Sequence, residues 1–329
     1  GRIIKGWNVW WMIGGSRLFL SCGRLAARAA LVELSSASSP SPRSFCTTSA
    51  SSSEQTASSS TSPPRQVTAR CAGFPKDLVG GVSKVREHGV FGDDACFVAR
   101  FKHTVLVAGV ADGVGGWRKY GVDPSAVSRR LMSECEKRVK SGRFDPQRPD
   151  KLLSAAFDAT KAPPKPTGSS TACVVVLAGD SLYSANLGDS GFLVVRGGRI
   201  FARSAEQTHY FNAPFQLTFP PEGFEGFIGD SPTSAERQEL QLAAGDVVVL
   251  ATDGLWDNLP EEILLRQLEP LVAGEADVQE VCNSLALTAR RLAFDSSHQS
   301  PFALKAQAHG IEAPGGKPDD ITLVLILVS

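Results

Sequence analysis

The sequence predicts an α/β (α+β) domain, in which two mainly antiparallel β-sheets pack together and α-helices cover their outer faces. Tight glycine turns, at Gly179-Asp180 and Gly197-Gly198, join short apolar runs and indicate antiparallel hairpins, not βαβ units. Four amphipathic segments with helical periodicity supply the covering layers. We expect this domain to span 71–329.

The predicted elements follow the apolar runs of this domain. Strands are expected at 95–101, 104–111, 171–178, 181–186, 191–196, 199–203, 246–252 and 321–328. Helices are expected at 124–140, 149–160, 260–272 and 276–294. The first helix carries a start signal, because Asp123 can cap it and Pro124 suits the first helical position. The stretch 205–240 has no clear period and is predicted to be an ordered loop or flap beside the site.

The composition is ordinary for a globular protein and excludes several classes. Hydrophobic residues make up 42%, and 34 basic residues balance 34 acidic ones. Without a basic surplus or a basic run, nucleic acid is not an expected partner. No run reaches the roughly 18 uninterrupted apolar residues of a spanning helix, so no transmembrane segment is predicted. The seven cysteines form no CxxC pair, which argues for reduced thiols and against a zinc site.

The first 66 residues differ from the rest of the chain. They hold seven basic and two acidic residues, and they are dense in serine from 35 to 62. On a helix, Arg17, Arg24 and Arg28 would fall within about 40° of one another. An amphipathic, Arg-rich, Ser-rich and acid-poor start is typical of a transit peptide. We therefore expect a mitochondrial transit peptide over 1–45 and a Ser/Pro-rich linker over 46–70.

The details of this N-terminal segment leave alternatives open. Arg43-Ser44-Phe45 resembles a mitochondrial processing site, which would place the cut near Cys46. Translation could begin at Met12 instead of upstream of it. The competing interpretation is a basic tail that carries no targeting signal. With the transit peptide, the expected location is the mitochondrial matrix.

Acidic residues stand at the ends of four predicted strands. Asp112 and Asp253 each end an apolar run and are followed by glycine. The pairs Asp93-Asp94 and Asp319-Asp320 each precede an apolar run. A single Asp-Gly is more often only a turn, but buried carboxylates side by side need a compensating charge. With oxygen ligands and no Cys or His among them, hard cations such as Mg²⁺ or Mn²⁺ are expected, and the chain is predicted to be a metal-dependent hydrolase.

Two divalent ions sharing carboxylates can promote attack on a phosphate ester. A water held by such ions loses its proton near neutral pH, and the ions neutralise the charge that develops on the phosphoryl group. Because Gly113 lets the chain turn sharply, its carbonyl is a further candidate ligand.

Six motifs occur in a fixed order along the domain. They are Gly92-Asp93-Asp94, Ala111-Asp112-Gly113, Gly168-Ser169-Ser170-Thr171-Ala172, Asn186-Leu187-Gly188-Asp189-Ser190, Thr252-Asp253-Gly254-Leu255-Trp256-Asp257 and Asp319-Asp320. This series is similar to that of the metal-dependent serine/threonine protein phosphatases of the 2C type. The ADGVGGW and GGKPDDIT versions resemble those of the mitochondrial Ptc-seven branch. The match spans about residues 75–329 and implies the αββα sandwich of those phosphatases.

The resemblance also implies roles for the acidic residues. Asp112 would bridge two metal ions, and Asp253 and Asp319 would complete the first metal site. Asp93 and the Gly113 carbonyl would serve the second metal site.

Three further acids have supporting or weaker roles by the same resemblance. Asp94 would orient a metal-bound water. Asp320, like Asp94, would support the metal ligands without binding a metal ion itself. Asp189 would hold a weaker third ion together with Asp253. For Asp189, a solvated hairpin turn is the alternative.

The sequence departs from the family pattern at three positions. Val114 stands where many members have a histidine proposed as the general acid. Gly89 stands where the family has a phosphate-binding arginine, with Arg86 and His88 as nearby candidates. Asp93 replaces the commoner glutamate, and its shorter side chain could leave a water between carboxylate and metal.

The resemblance implies a monomeric Mg²⁺- or Mn²⁺-dependent phosphatase that hydrolyses phosphoserine and phosphothreonine on mitochondrial proteins. Matrix metabolic enzymes and ubiquinone-biosynthesis enzymes are candidate substrates, by analogy only. A catalytically weak relative that binds phosphoproteins is the alternative, because the histidine and the arginine are missing. A metal-dependent nuclease or small-molecule phosphomonoesterase is a third hypothesis, and the neutral charge argues against a nuclease.

Overall fold

The computed structural model describes residues 66–77, 89–223 and 226–329. All of them belong to one compact unit that runs from Thr61 to Ser329. The predicted transit peptide, Met12 and most of the predicted linker lie outside the described residues.

The domain contains fifteen strands and six α-helices within these described ranges. In chain order the strands are β1 Val67–Phe74, β2 Val90–Phe91, β3 Asp94–Phe101, β4 Val105–Ala111, β5 Gly168–Ser170, β6 Ala172–Ala178, β7 Ser181–Leu187, β8 Gly191–Arg196, β9 Arg199–Arg203, β10 Thr208–Tyr210, β11 Ala213–Pro214, β12 Leu217–Phe219, β13 Glu236–Gln241, β14 Val247–Ala251 and β15 Ile321–Val328. The helices are α1 Ser125–Lys140, α2 Pro149–Thr160, α3 Asp253–Trp256, α4 Glu261–Val272, α5 Val278–Ala293 and α6 Pro301–Ala308. Short 3₁₀ helices lie at Gly115–Tyr120 and Pro232–Ser234.

Two antiparallel sheets form the centre of the domain. One has six strands in the order β13-β7-β6-β4-β3-β2, and the other has five in the order β1-β15-β14-β8-β9. Two short pairs, β10-β11 and β5-β12, lie outside these sheets. Every pairing within the two sheets is antiparallel, as the hairpin turns predicted.

Strand β15 is apolar along nearly its whole length and does not alternate between apolar and polar residues. Its Leu323 and Leu325 pack among buried residues of α4 and α5. Its Val324 and Ile326 point the other way and pack against the six-stranded sheet. Both faces of the strand are therefore buried, and burying each such side chain stabilises the fold by roughly 1.5–3 kcal/mol. Since α1 and α2 cover the outer face of the six-stranded sheet, the layers run helices, sheet, sheet, helices, and the predicted fold class is confirmed.

The predicted eight strands and four helices are all present, and their ends agree within two residues. The predicted domain boundary at residue 71 falls inside β1, which begins at Val67 and pairs with β15. Polar residues such as Arg70 interrupt the pattern of this edge strand, so composition alone extended the linker too far. The short α6, which Ser300 caps by accepting a hydrogen bond from Ala303 N at 3.0 Å, was also not predicted.

The segment 205–240 is more regular than the predicted loop or flap. It contains β10, β11 and β12, and β13 begins within it and joins the edge of the six-stranded sheet beside β7. The sequence of β13, ERQELQ, has no apolar run because the strand is half exposed. An edge strand of this kind gives little signal to a search for buried runs.

The start of α1 follows the predicted signal with a shift of one residue. Pro124 takes the cap position, and α1 begins at Ser125. The Asp123 carboxylate accepts hydrogen bonds from the Ser125 backbone N at 3.0 Å and from its hydroxyl at 2.6 Å. Within the described part of the chain, no helix is both long enough and apolar enough to cross a membrane.

Antiparallel pairing brings several strand ends to one end of the sandwich. The start of β3 lies beside the end of β4, where Ala95 pairs with Ala111. The end of β14 lies beside the start of β15, where Ala251 pairs with Leu323. The backbone at Gly254 is so close to this junction that a Cβ there would overlap the carbonyl oxygen of Asp320.

Replacing Gly254 with alanine should therefore destabilise the domain. Because backbone atoms cannot move aside cheaply, we expect Gly254→Ala to lower the free energy of unfolding by about 1–3 kcal/mol. Gly115→Ala is the matched control, since its added Cβ would meet only side-chain atoms, the flexible end of Arg118 at 3.3 Å and Asp93 Oδ2 at 3.8 Å. Denaturant titrations measure both, and equal stabilities for the two variants would contradict the close packing at this junction.

Candidate metal centre

The predicted site residues lie together at the end of the sandwich where these strands meet. Asp112 directly follows β4, and Asp253 is the first residue of α3 after β14. Asp94 is the first residue of β3, with Asp93 before it. Asp319 and Asp320 directly precede β15, and Asp189 lies in the turn between β7 and β8.

The backbone of Asp112 is fixed, while its carboxylate has no compensating partner. Its N–H donates to Thr171 Oγ1 at 3.0 Å, and its carbonyl accepts from Thr171 N at 3.0 Å. The carboxylate makes no hydrogen bond or ion pair with any described residue. Burial, followed by the nearby charges of Asp253 and Asp94, raises the pKa of Asp112 well above its usual value. The side chain is thus held where a cation would stabilise its ionised form.

Asp320 positions the neighbouring pair Asp93-Asp94 through the backbone. Its carboxylate accepts from Asp93 N at 2.7 Å and from Lys76 N at 2.5 Å. Thr252 Oγ1 donates to Asp94 Oδ2 at 2.8 Å, so Asp94 is tied to the end of β14. Burial and the charge of Asp320 raise the pKa of Asp94 well above its usual value.

Arg118 forms a two-pronged ion pair with Asp93. Its two terminal nitrogens lie 2.8 Å and 2.7 Å from the two carboxylate oxygens. Burial and Asp320 nevertheless raise the pKa of Asp93 to about 6, against the lowering effect of Arg118. Because the Arg118 side chain is 50% exposed, this guanidinium lies at the solvent edge of the site.

Lys317 lies among three carboxylates of the acidic cluster. Its Nζ is 2.5 Å from Asp253, 2.8 Å from Asp257 and 3.5 Å from Asp319. Burial alone would lower the pKa of Lys317, but these three acids outweigh burial and raise it well above its usual value.

The pKa of Asp319 is also determined by opposing effects. Burial, together with the charge of Asp253, raises the pKa of Asp319 to about 6, although Lys317 and Lys76 act to lower it.

Gly113 brings the Asp112 and Asp93 segments together. A Cβ at this position would overlap the Pro124 carbonyl and would lie 2.6 Å from the carbonyl oxygen of Asp93. Only glycine fits there, and its backbone pairs with Ser170 as an isolated bridge.

Asp189 lies at the site and is not a solvated turn residue. Its Oδ1 atom is buried and has no hydrogen-bond partner. Burial, followed by the charge of Asp253, raises the pKa of Asp189 well above its usual value. An orphaned carboxylate oxygen next to other acids is a group that a cation would satisfy.

The chemistry of these residues fits a hard divalent cation. The donors are carboxylates and a backbone carbonyl, and Mg²⁺ and Mn²⁺ prefer such oxygen ligands. Among the described residues, no group of three or more His, Cys, Asp or Glu side chains is arranged closely enough to hold a metal ion. Arg118 and Lys317 instead pair with Asp93, Asp253 and Asp319. Ion binding would therefore exchange some of these ion pairs for metal contacts.

The departures from the family pattern leave no histidine or arginine at the two expected positions. Val114 has no ionisable group, and its backbone N donates to Ser169 O at 3.1 Å. Gly89 is described and carries no side chain. Arg86 and His88, the nearby candidates for phosphate binding, lie outside the described residues.

Sequence reasoning missed three charged residues of this site. Asp257 follows Asp253 by one helical turn, a spacing that places both on one side of a helix. Lys317 stands two residues before Asp319, and its position in the GGKPDDIT motif was the available signal. Arg118 gave no signal, because only the fold brings it to Asp93.

A cleft of about 450 Å³ includes Asp189 in its lining. The lining also includes Arg203, Glu206, Trp256 and Lys305.

Comparisons with known proteins agree with this geometry. The family model described as protein phosphatase 2C matches residues 83–287. The protein phosphatase PTC7 homolog of Xenopus laevis is 46% identical over 315 residues, which cover 94% of this chain and 97% of the relative. The resemblance to the Ptc-seven branch is thereby confirmed.

Solved structures give the same result for the fold. The photosystem II phosphatase PBCP is 28% identical, has a TM-score of 0.67 and matches 80% of this chain and 99% of its own. The catalytic domain of the phosphatase PstP, solved with two manganese ions, has a TM-score of 0.52 at 18% identity and covers 80% of this chain and 98% of its own. At that identity, the second likeness concerns the fold alone. The chain belongs to the protein phosphatase 2C family and is a phosphoprotein phosphatase.

Proposed function

We propose that the chain is a Mg²⁺- or Mn²⁺-dependent serine/threonine phosphatase that acts on mitochondrial phosphoproteins. The observation that carries the proposal is Asp112, whose backbone is held by hydrogen bonds to Thr171 while its carboxylate has no compensating charge among the described residues. It lies among other acids and beside a backbone carbonyl, an oxygen donor set suited to two divalent ions. The proposed number of ions is the one named for PstP.

Each residue has a defined role in this proposal. Asp112 would bind both ions, Asp253 and Asp319 would complete one site, and Asp93 with the Gly113 carbonyl would complete the other. Divalent ions bound there would supply an activated water and would neutralise charge developing on the phosphoryl group.

The supporting residues orient these ligands. Asp320 fixes the Asp93 backbone at 2.7 Å, and Thr252 holds Asp94 at 2.8 Å. Such hydrogen bonds commonly contribute a factor of about 10–100 to metal affinity or activity.

The mitochondrial part of the proposal is supported by the N-terminal sequence. The arginine-rich, acid-poor segment 1–45 has the composition of a transit peptide. Matrix metabolic enzymes and ubiquinone-biosynthesis enzymes remain the candidate substrates by analogy, and we propose that the phosphatase acts as a monomer.

Removal of metal should abolish phosphatase activity. We expect EDTA to stop phosphate release from phosphoserine and phosphothreonine peptides, and Mn²⁺ or Mg²⁺ to restore it. Asp253→Asn should lower kcat by more than about 100-fold, beyond the effect of residues that only support ligands. Asp158→Asn is the control, because this acid is 69% exposed on α2 and pairs only with Lys161 among the described residues. Circular dichroism verifies that each variant is folded.

The same assay separates the alternatives. Full activity in EDTA, or in the Asp253→Asn variant, would contradict the metal-dependent mechanism. A folded wild-type chain that binds phosphopeptides but releases no phosphate with Mn²⁺ would favour the phosphoprotein-binding alternative.

Alkylation of thiols should leave most activity intact. Five cysteines lie in the described ranges, and all of them are buried: Cys71, Cys96, Cys135, Cys173 and Cys282. Burial raises the pKa of Cys135 to about 12, so its thiol stays protonated and unreactive at neutral pH. We expect iodoacetamide to have little effect on phosphate release. Loss of activity on labelling one cysteine, together with an inactive Cys→Ser variant, would point to a thiol nucleophile instead.

The arginines of the N-terminal segment should direct import. The membrane potential acts on positive charge, so replacing Arg17, Arg24 and Arg28 with glutamate should leave a fluorescent fusion in the cytosol. Replacing the same three with lysine keeps the charge and should preserve import. Mass spectrometry of the imported chain should find an N-terminus near residue 46. A fusion of residues 1–66 that stays in the cytosol, or an uncut chain in purified mitochondria, would contradict the predicted transit peptide.

A further inference from the structure

We infer that the guanidinium of Arg118 binds the phosphoryl group of the substrate at the solvent edge of the acidic cluster. The inference rests on the proposed function, because it names the side chain that would recognise the phosphate at the same site. A phosphoserine carries about −1.5 to −2 charges at pH 7. A cationic side chain that faces solvent beside the cluster would attract this group and orient it.

The first argument is that the backbone places Arg118 near the proposed ligands without the help of any ion pair. The 3₁₀ helix Gly115–Tyr120 begins two residues after Gly113, whose carbonyl is a proposed ligand. Val114 between them is fixed, since its backbone N donates to Ser169 O at 3.1 Å. Chain connection alone therefore keeps Arg118 beside this end of the sandwich.

The second argument is that a buried tryptophan anchors this helix. Trp117 Nε1 donates to Ser169 Oγ at 2.7 Å, and its ring stacks on Phe227 with centroids 4.6 Å apart. The helix ends at Gly121, whose left-handed backbone (φ 73°) lets its N–H donate to Arg118 O at 3.0 Å. The base of the Arg118 side chain is thus held in place, while the side chain as a whole is 50% exposed.

The third argument is the reach and shape of the guanidinium. Its two terminal nitrogens lie 2.8 Å and 2.7 Å from the two oxygens of Asp93. A phosphoryl group offers pairs of oxygens to the same planar fork of N–H donors. The pair with Asp93 shows how far the side chain reaches, and we expect it to open when Asp93 binds an ion. The anchored helix then leaves both donors at the mouth of the site.

The other cations that pair with the cluster are less suited to this role. Among the described residues they are Lys76, Lys305 and Lys317. Lys317 is only 16% exposed, and Lys305 also pairs with Glu206 at 2.7 Å. A lysine such as Lys76 offers a point charge instead of a fork. In the described ranges, Arg118 is the one arginine of this set and the most exposed of the four side chains.

Binding of a phosphonate peptide tests the inference without relying on turnover. In this probe a methylene group replaces the ester oxygen of phosphoserine, so the peptide cannot be hydrolysed. Fluorescence anisotropy of the labelled peptide with the full chain in saturating Mn²⁺ gives its Kd. Arg118→Met should weaken binding by about 10- to 100-fold, as expected for lost hydrogen bonds between charged groups. Arg118→Gln should behave in the same way, and Arg118→Lys should lie between these variants and the wild type.

Arg237→Met is the matched control. Arg237 is 48% exposed and pairs with Asp150 Oδ1 at 3.3 Å, and it pairs with none of the described acids of the site. This variant should bind the phosphonate peptide as tightly as the wild type does. The unphosphorylated serine peptide should not distinguish Arg118→Met from the wild type. In the phosphatase assay, Arg118→Met should raise KM for phosphopeptides by about the factor that it raises Kd.

Mn²⁺ affinity separates phosphate binding from support of a metal ligand. If Arg118 served only to hold Asp93, Arg118→Met would weaken Mn²⁺ binding in an isothermal titration of the full chain. We expect the variant to bind Mn²⁺ at least as tightly as the wild type. It keeps every proposed ligand and loses a cation that competes for Asp93.

Two results would overturn the inference. One is wild-type affinity for the phosphonate peptide in folded Arg118→Met or Arg118→Gln. The other is a loss of peptide affinity that higher Mn²⁺ concentrations fully restore, which would make Arg118 a support for Asp93. In both cases the proposed metal-dependent function would stand. Full phosphate release in EDTA would instead contradict that function, while the phosphonate Kd would still decide the role of Arg118.

Discussion

Repulsion among buried carboxylates at one end of the sandwich is the constraint on which the rest of the site depends. Burial and neighbouring acids raise the pKa of several of them at once, including Asp112, Asp94 and Asp189. Such a cluster is stable only when cations or hydrogen-bond donors offset the charge. Arg118 and Lys317 supply part of that charge within the chain, and divalent ions would supply the remainder.

The fold holds these charges together through rigid backbone and not through flexible loops. Antiparallel pairing sets the end of β4 beside the start of β3 and the end of β14 beside the start of β15. Glycines at 92, 113 and 254 let the connecting segments approach more closely than any side chain would allow. Because both sheets are covered on both faces, these ends cannot separate without exposing the core.

The sequence predicted the parts of this structure that depend on local pattern. Buried runs gave the central strands, and an acid followed by glycine at a strand end identified Asp112 and Asp253. The edge strand β13 has no apolar run, and β1 follows the polar linker without a clear boundary, so both escaped prediction. Contacts between residues distant in sequence, such as Lys317 with Asp253 and Arg118 with Asp93, depend on the folded topology and carry no local signal.

Anomalous diffraction from crystals grown with Mn²⁺ tests the central claim most directly, because it locates each bound ion among the carboxylates. The account predicts two manganese peaks beside Asp112, contacted also by Asp253, Asp319, Asp93 and the Gly113 carbonyl. The absence of any peak within the acidic cluster at saturating Mn²⁺ would contradict the assignment of this end of the sandwich as a metal centre.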